Sequence, residues 1–231
     1  MATGSKYVVI GLGQFGEAIA RNLSAKGVEV LAIDNNENHI EAIKDDVAMA
    51  VTMDATDIRA LRTQNIQEAD AVVMAIGEDF EALLLSTVYV QELGAKRVIA
   101  RAHGRQQRMI LEKMGVEEIL SPEDEVAKVV TEQLLNPSVL SFLELPDDYE
   151  IVEIKAPQGI INKAVGEINL RNKYKINLVT IKRSYEKTKD GKATIEEHIL
   201  GVPTTETMIY DTDSIVVFGL IKDIERFIDI N

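Results

Sequence analysis

Tyr7–Ile10 is a short apolar, β-branched run, and beyond Gly16 the apolar residues switch to helical spacing at Ala18, Ile19 and Leu23. The change of period predicts a buried strand, a tight turn and a helix. The same alternation continues along the chain. Val28–Ile33 reads as a second strand and Ala48–Met53 as a third, with Ile40 and Ile43 marking a short helix between them. Leu61 anchors the next helix, whose start is set by Asp54-Ala55-Thr56-Asp57, with Thr56 or Asp57 as its cap. Ala71–Ile76 is a fourth strand, Arg97–Ala100 a fifth and Glu118–Leu120 a sixth. The helix expected over Asp79–Leu93 carries Phe80, Leu83, Leu84, Leu85, Val88, Val90 and Leu93, more than one stripe, so burial on more than one side is expected. A helix around Met109–Lys113 follows, and Ser121-Pro122 starts another that carries Val126, Val129, Val130 and Leu134.

Six strands alternating with helices predict an α/β domain with a doubly wound parallel sheet of Rossmann type over residues 1–135. Asn136-Pro137 then breaks the helix. Residues 136–148 are expected to be a crossover segment, whose apolar part, Val139–Leu145, packs on a partner subunit. From Tyr149 the pattern becomes a small α+β unit over residues 149–231. Its expected strands are Glu150–Lys155, Asn177–Arg183, Ala193–Leu200 and Ser214–Gly219, with helices at Lys163–Asn172 and Ile221–Ile230 and a charged hairpin turn at Lys187–Gly191.

The first strand runs into G-x-G-x-x-G at Gly11, Gly13 and Gly16. The three glycines play separate roles. Gly11 makes the tight turn, Gly13 lets backbone approach a pyrophosphate, and Gly16 lets the helix lie close to the sheet. Free N–H groups at that helix start favour an anion. The second strand ends in Asp34, near the ~20-residue spacing at which this fold places an acid on a ribose diol. Asn35 and Asn36 bring no positive charge for a 2′-phosphate, which argues against NADP. NAD, ADP, ATP and AMP share the free diol, so Asp34 does not separate them. The strand tips at Gly11, Asp34, Asp54, Ile76 and Arg101 should converge on one crevice.

Composition narrows the function. The chain has 231 residues, a formal net charge of −13 and no cysteine. Both halves are acidic, which argues against a nucleic-acid backbone or anionic lipid as partner, and thiolate chemistry and disulfides are absent. Met1–Lys6 runs directly into a strand, so no signal peptide is expected. The longest apolar stretch, Ala82–Val90, falls well short of the ~18 residues of a membrane span. Catalytic groups are equally scarce. His198 sits beside Glu196 and Glu197 on an expected surface strand, and His39 and His103 have no ligand-spaced partner for zinc. Glu123-Asp124-Glu125 is expected to complement a helix dipole. An NAD-dependent oxidoreductase, with the small second unit holding substrate, is the alternative to a non-catalytic nucleotide-binding protein.

The ordered set V-I-G-L-G-Q-F-G, A-I-D at Asp34, D-A-T at Asp54, A-I-G at Ala75–Gly77, I-A-R-A at Ile99–Ala102 and L-E-K-M-G-V-E-E-I-L-S-P-E at Leu111–Glu123 resembles the cytoplasmic regulators of Trk/Ktr potassium-uptake systems, the RCK or KTN proteins. Asn169–Arg183 and Asp211–Gly219 extend the resemblance over nearly the whole chain. It implies an adenine-nucleotide sensor that forms homodimers and octameric rings on the cytoplasmic face of a potassium-translocating membrane subunit. By position, Ile10, Gly11, Leu12, Gly13, Gln14, Phe15 and Gly16 would surround phosphates, Asp34 the ribose, and Asp54 and Ala55 the adenosine. Ala75 and Ile76 would line the crevice, and Arg101 would pair with phosphate. Arg101, Arg105 or a neighbouring subunit's Gln14 would then meet a terminal phosphate. Gln14 stands where many Ktr-type members carry arginine, so strong preference for ATP over ADP is not implied. The resemblance further implies a divalent cation at Glu123, with helix capping as the alternative. It also implies a cyclic di-AMP site at Val165, Asn177, Leu178 and Pro203, with a plain dimerisation module as the alternative. Gly166 replaces a bulky aliphatic residue of that second site.

Overall fold

The computed structural model describes residues 4–189 and 192–231, and the chain divides into two units, Met1–Glu125 and Val126–Asn231. In the first unit β1 (Lys6–Ile10), β2 (Glu29–Asp34), β3 (Met49–Thr52), β4 (Ala71–Met74), β5 (Val98–Arg101) and β6 (Glu118–Leu120) alternate with α1 (Gln14–Ala25), α2 (Glu37–Ile43), α3 (Ile58–Arg62), α4 (Phe80–Glu92) and α5 (Gly104–Lys113). The strands form one parallel sheet in the order β3-β2-β1-β4-β5-β6. β1 pairs with both β2 and β4, Ile10 lying opposite Ile33 on one side and Met74 on the other. The winding reverses between β1 and β4, which opens a crevice above their carboxyl ends.

Alternation of side chains across the strands builds a core on each face. Val8, Ile10, Leu31, Ile33, Val72 and Met74 pack with Leu83, Val90 and Leu111 on one side. Val9, Val30, Ala32 and Val73 pack with Ala20, Ile40 and Ile43 on the other. Side-chain caps fix the starts of three helices: Asn36 accepts from Asn38 N–H, Asp57 from Arg59 N–H and Asp79 from Ala82 N–H. α4 buries Leu83, Ser86, Thr87 and Val90, and the two hydroxyls donate to carbonyls of the preceding turn. Phe80, Leu84 and Val88 are half-buried and Leu85 is exposed, so burial on several sides does not hold within one chain. The two small hydroxyl residues occupy core positions and leave longer apolar side chains at the flank.

α6 (Pro122–Leu135) crosses the division between the units. The second unit contains β7 (Val139–Glu144), β8 (Tyr149–Lys155), α7 (Val165–Ile168), α8 (Leu170–Tyr174), β9 (Asn177–Lys189), β10 (Lys192–Ile199), β11 (Asp213–Leu220) and α9 (Ile221–Ile230). Its sheet is antiparallel, in the order β10-β9-β11-β8-β7. Ile154, Ile181, Ile215, Val217, Ile224 and Phe227 form its core, where Tyr174 meets Phe227 edge-on at 4.9 Å.

Three expectations change here. Val139–Glu144, expected within a crossover segment, is an edge strand: a shift of register between Val139 and Ser141 rephases the chain so that both Val139 and Phe142 reach the core. The helix expected over Lys163–Asn172 is two short ones, because Asn169 takes a left-handed conformation at φ 54° between them. β9 continues beyond Arg183 to Lys189, pairing with β10 as far as Lys192. Asp190 and Gly191, the tip of the expected Lys187–Gly191 turn, lie outside the described residues.

Candidate functional site

The glycine loop follows from steric limits that differ residue by residue. Gly11 has φ +93°, and a Cβ there would lie 2.7 Å from the Ile76 nitrogen; its own N–H donates to the Ile33 carbonyl at 2.8 Å. At Gly16 a Cβ would lie 1.8 Å from the Gly11 oxygen and 3.0 Å from the Ala75 Cβ. At Gly13 it would meet nothing within 4 Å. Gly13 is the N-cap of α1 and offers no side-chain acceptor, so the first N–H groups of the helix remain for an anion.

Asp34 ties this loop to β2. Its Oδ2 accepts the Leu12 N–H at 2.6 Å and its Oδ1 the Asn36 N–H at 2.8 Å. Leu12 therefore serves the site through its backbone while its side chain is buried in the core. Beside Asp34, beyond the end of β3, Asp54 closes a local turn by accepting the Thr56 N–H at 2.8 Å and hydroxyl at 2.7 Å. Ala75 N–H donates to the Ile10 carbonyl at 2.7 Å, which holds the tips of β1 and β4 together.

The opposite end is basic. The Arg101 side chain is 16% exposed and pairs with Glu123, and its guanidinium lies 5.2 Å from the centre of the Phe15 ring. Its Nε is buried without a hydrogen-bond partner among the described residues. The hydrogen bond from Arg101 holds the Glu123 carboxyl below the usual carboxylate range, helped by the backbone at the start of α6. His103 lies 3.7 Å from Glu123.

These groups enclose a cavity of about 1180 Å³, larger than ordinary small-molecule pockets and roomy enough for a dinucleotide. Ile10, Gly11, Gly13, Gln14, Phe15, Asp34, Asp54, Ala55, Ala75, Ile76, Arg101 and Glu123 all line it. Gly16 instead supports the wall from behind, against Gly11. His39, Asn36, Gly77 and His103 also line the cavity and were missed in the sequence. Their signals were thin: His39 falls early in a helix begun by the Asn36 cap, and His103 is two residues beyond Arg101.

Among the described residues no group of three or more histidines and carboxylates is arranged for a metal, and Glu123 is engaged by a guanidinium. In the second unit Val165, Leu178 and Pro203 are half-buried, while the Asn177 side-chain Oδ1 accepts from Arg171 Nε at 2.8 Å. A Cβ at Gly166 would lie 3.1 Å from the Thr205 oxygen. His198 is a surface residue, 3.5 Å from Glu196.

A doubly wound parallel sheet with a glycine loop at its switch point and an acid ending β2 defines the Rossmann class of α/β domain. The TrkA-N domain family matches residues 7–122, and the chain belongs to that family. It is a homologue of the Ktr potassium-uptake proteins: Ktr system potassium uptake proteins C and A of Bacillus subtilis are each 32% identical over 222 residues, spanning 96% of this chain and 95% of theirs. The fold also matches a solved structure of the GsuK channel bound to NAD, with a TM-score of 0.62, 13% identity, and coverage of 96% of this chain and 38% of that one. No described helix is long and apolar enough to cross a membrane.

Proposed function

We propose that this chain is a non-catalytic, adenine-nucleotide-binding regulatory subunit of a potassium-uptake system, acting on the cytoplasmic face of a potassium-translocating membrane partner. Membership among Ktr homologues supports the transport role. The observation that carries the nucleotide is the convergence of three chemistries on one cavity: open helix N–H groups at Gly13, an acid at Asp34 and a guanidinium at Arg101. Phosphates sit over the loop, the ribose diol on Asp34 and the base towards Asp54 and Ala55. Arg101 then exchanges Glu123 for phosphate, with Arg105 or a neighbouring subunit's Gln14 available to a terminal phosphate. NAD, ADP and ATP all satisfy this arrangement.

Nucleotide exchange gates the partner by reshaping an oligomer of this chain, built from homodimers and closing into an octameric ring. A ligand shifts such an equilibrium only by its differential affinity for the two shapes. The terminal phosphate, the group that ADP and ATP do not share, must therefore be read at Arg101 and its neighbours.

Isothermal calorimetry of Asp34→Ala with NAD, ADP and ATP tests the site. Each charged hydrogen bond to the diol contributes about 1.5–3 kcal/mol, so affinity should fall at least tenfold. Unchanged affinity for all three nucleotides would remove the site assignment.

A further inference from the structure

His39 is brought to the ribose end of the cavity by local structure. Asn36 donates its N–H to Asp34 Oδ1 and caps α2 through its side chain, and the first turn of that helix carries His39 to the cavity wall. His39 Nδ1 lies 3.2 Å from Asp34 Oδ2. Yet Nδ1 is buried and makes no hydrogen bond of good geometry among the described residues, while the ring as a whole is 42% exposed.

A carboxylate has about four lone-pair sites. On Asp34 two are held by the Leu12 and Asn36 N–H groups, and a ribose diol needs the other two. We infer that His39 is a positioning residue that sets the affinity of the ribose site by competing with the diol for Asp34. With its proton on Nε2 the neutral imidazole turns only a lone pair to Asp34 and leaves the carboxylate to the hydroxyls, whereas the Nδ1–H tautomer already donates to Oδ2. Protonated on both nitrogens, the ring donates a charge-assisted hydrogen bond to Oδ2 and takes one of those sites. Imidazole titrates near pH ~6.5 when unperturbed, so nucleotide should be held less tightly as the pH falls through that range.

The surroundings isolate this pair. Arg21 reaches α2 from α1, but it is bonded to Glu17, Asp46 and the Ala42 carbonyl. On α2 itself Glu41 is paired with Lys44, which follows the helix, and Glu37 is exposed. Beyond β3, Asp54 holds Thr56. Glu78, Asp79, Arg101, His103 and Glu123 line other parts of the cavity. Asp34 is the carboxylate within ion-pair distance of His39 among the described residues.

The inference rests on the nucleotide reading above, and NAD is the probe because it has no group titrating between about pH 5.5 and 8.5, the range in which imidazole changes charge. Calorimetric NAD affinity of the full chain should fall several-fold from pH ~8 to ~5.5, as the imidazolium that competes for Asp34 is populated. His39→Asn should abolish the slope, whatever the affinity at pH ~8. Parallel pH profiles in wild type and His39→Asn, or tighter wild-type binding at low pH, would overturn the competition alone. Absence of NAD binding at every pH in both proteins, with ADP and ATP also failing to bind, would overturn the nucleotide reading and this inference with it.

Discussion

Adding a methyl group to each glycine of the loop should give three different outcomes. At Gly16 the Cβ would collide with the Gly11 carbonyl at 1.8 Å, so Gly16→Ala forces α1 away from the sheet. A stability loss above about 2 kcal/mol is expected, measurable by urea denaturation. At Gly11 the positive φ adds backbone strain to a clash with Ile76. At Gly13 the Cβ meets nothing within 4 Å, so Gly13→Val should keep the wild-type melting temperature and lose nucleotide, because its side chain stands where pyrophosphate must approach. A differential scanning fluorimetry trace with and without nucleotide separates the two effects. The separate roles of these glycines could be read from spacing, since the geometry of the turn is local. The second role of Asp34, holding the Leu12 N–H, and the approach of His39 depend on how α2 is aimed, which no local pattern encodes.

At the scale of elements, hydrophobic periodicity located the strands of both sheets, with β7 as the exception. A single shift of register lets Val139 and Phe142 share a face, and a strict two-residue alternation cannot reveal that. Likewise one left-handed residue, Asn169, divides α7 from α8. The second unit is further joined by side-chain bonds of long sequence separation. Arg183 reaches the fully buried Asp213 through Nε at 2.7 Å and Nη2 at 2.8 Å, and also donates to the Met208 carbonyl. Arg183→Ala leaves that carboxylate without its cation and should cost about 3–5 kcal/mol in chemical denaturation. Arg183→Lys should recover part of the loss, because one ammonium cannot reproduce the bidentate contact.

Glu153 gives the same unit a pH dependence. Burial pushes its carboxyl up, but Lys182 at 2.6 Å and hydrogen bonds from Ser214 and Ser141 outweigh burial and hold it below the usual range. A depressed folded value means that the stabilisation is complete above the unfolded value of about 4.3 and is lost as the pH falls through the folded one. The melting-temperature gap between wild type and Glu153→Gln should therefore be widest near neutrality and close as the pH falls through the depressed folded value. A gap independent of pH would assign the effect to packing.

For the whole molecule, the surface left by one chain is informative. α6 buries none of its residues, and Val126, Val130 and Leu134 recur on one stripe, with Leu134 75% exposed. Leu143 on β7 and Leu85 on α4 are exposed as well, and each unit thus offers apolar side chains that the oligomer proposed above would cover. Val130→Lys combined with Leu134→Lys should give a folded protein of lower mass by light scattering, with its circular dichroism unchanged. Apolar surplus on α4 was visible in the sequence, whereas the apolar residues of α6 gave no sign of whether they are covered, because periodicity records an apolar face without saying what covers it.

Potassium flux through the reconstituted membrane partner, recorded with and without adenine nucleotide, tests the central claim most directly. With the wild-type chain present, adding or exchanging nucleotide should change the flux. With Gly13→Val, which keeps the fold and blocks the phosphate cradle, flux should stay at the nucleotide-free level while the two proteins still co-sediment. A wild-type flux indifferent to NAD, ADP and ATP alike, or a Gly13→Val chain that responds as the wild type does, would contradict a nucleotide gate built on this cavity.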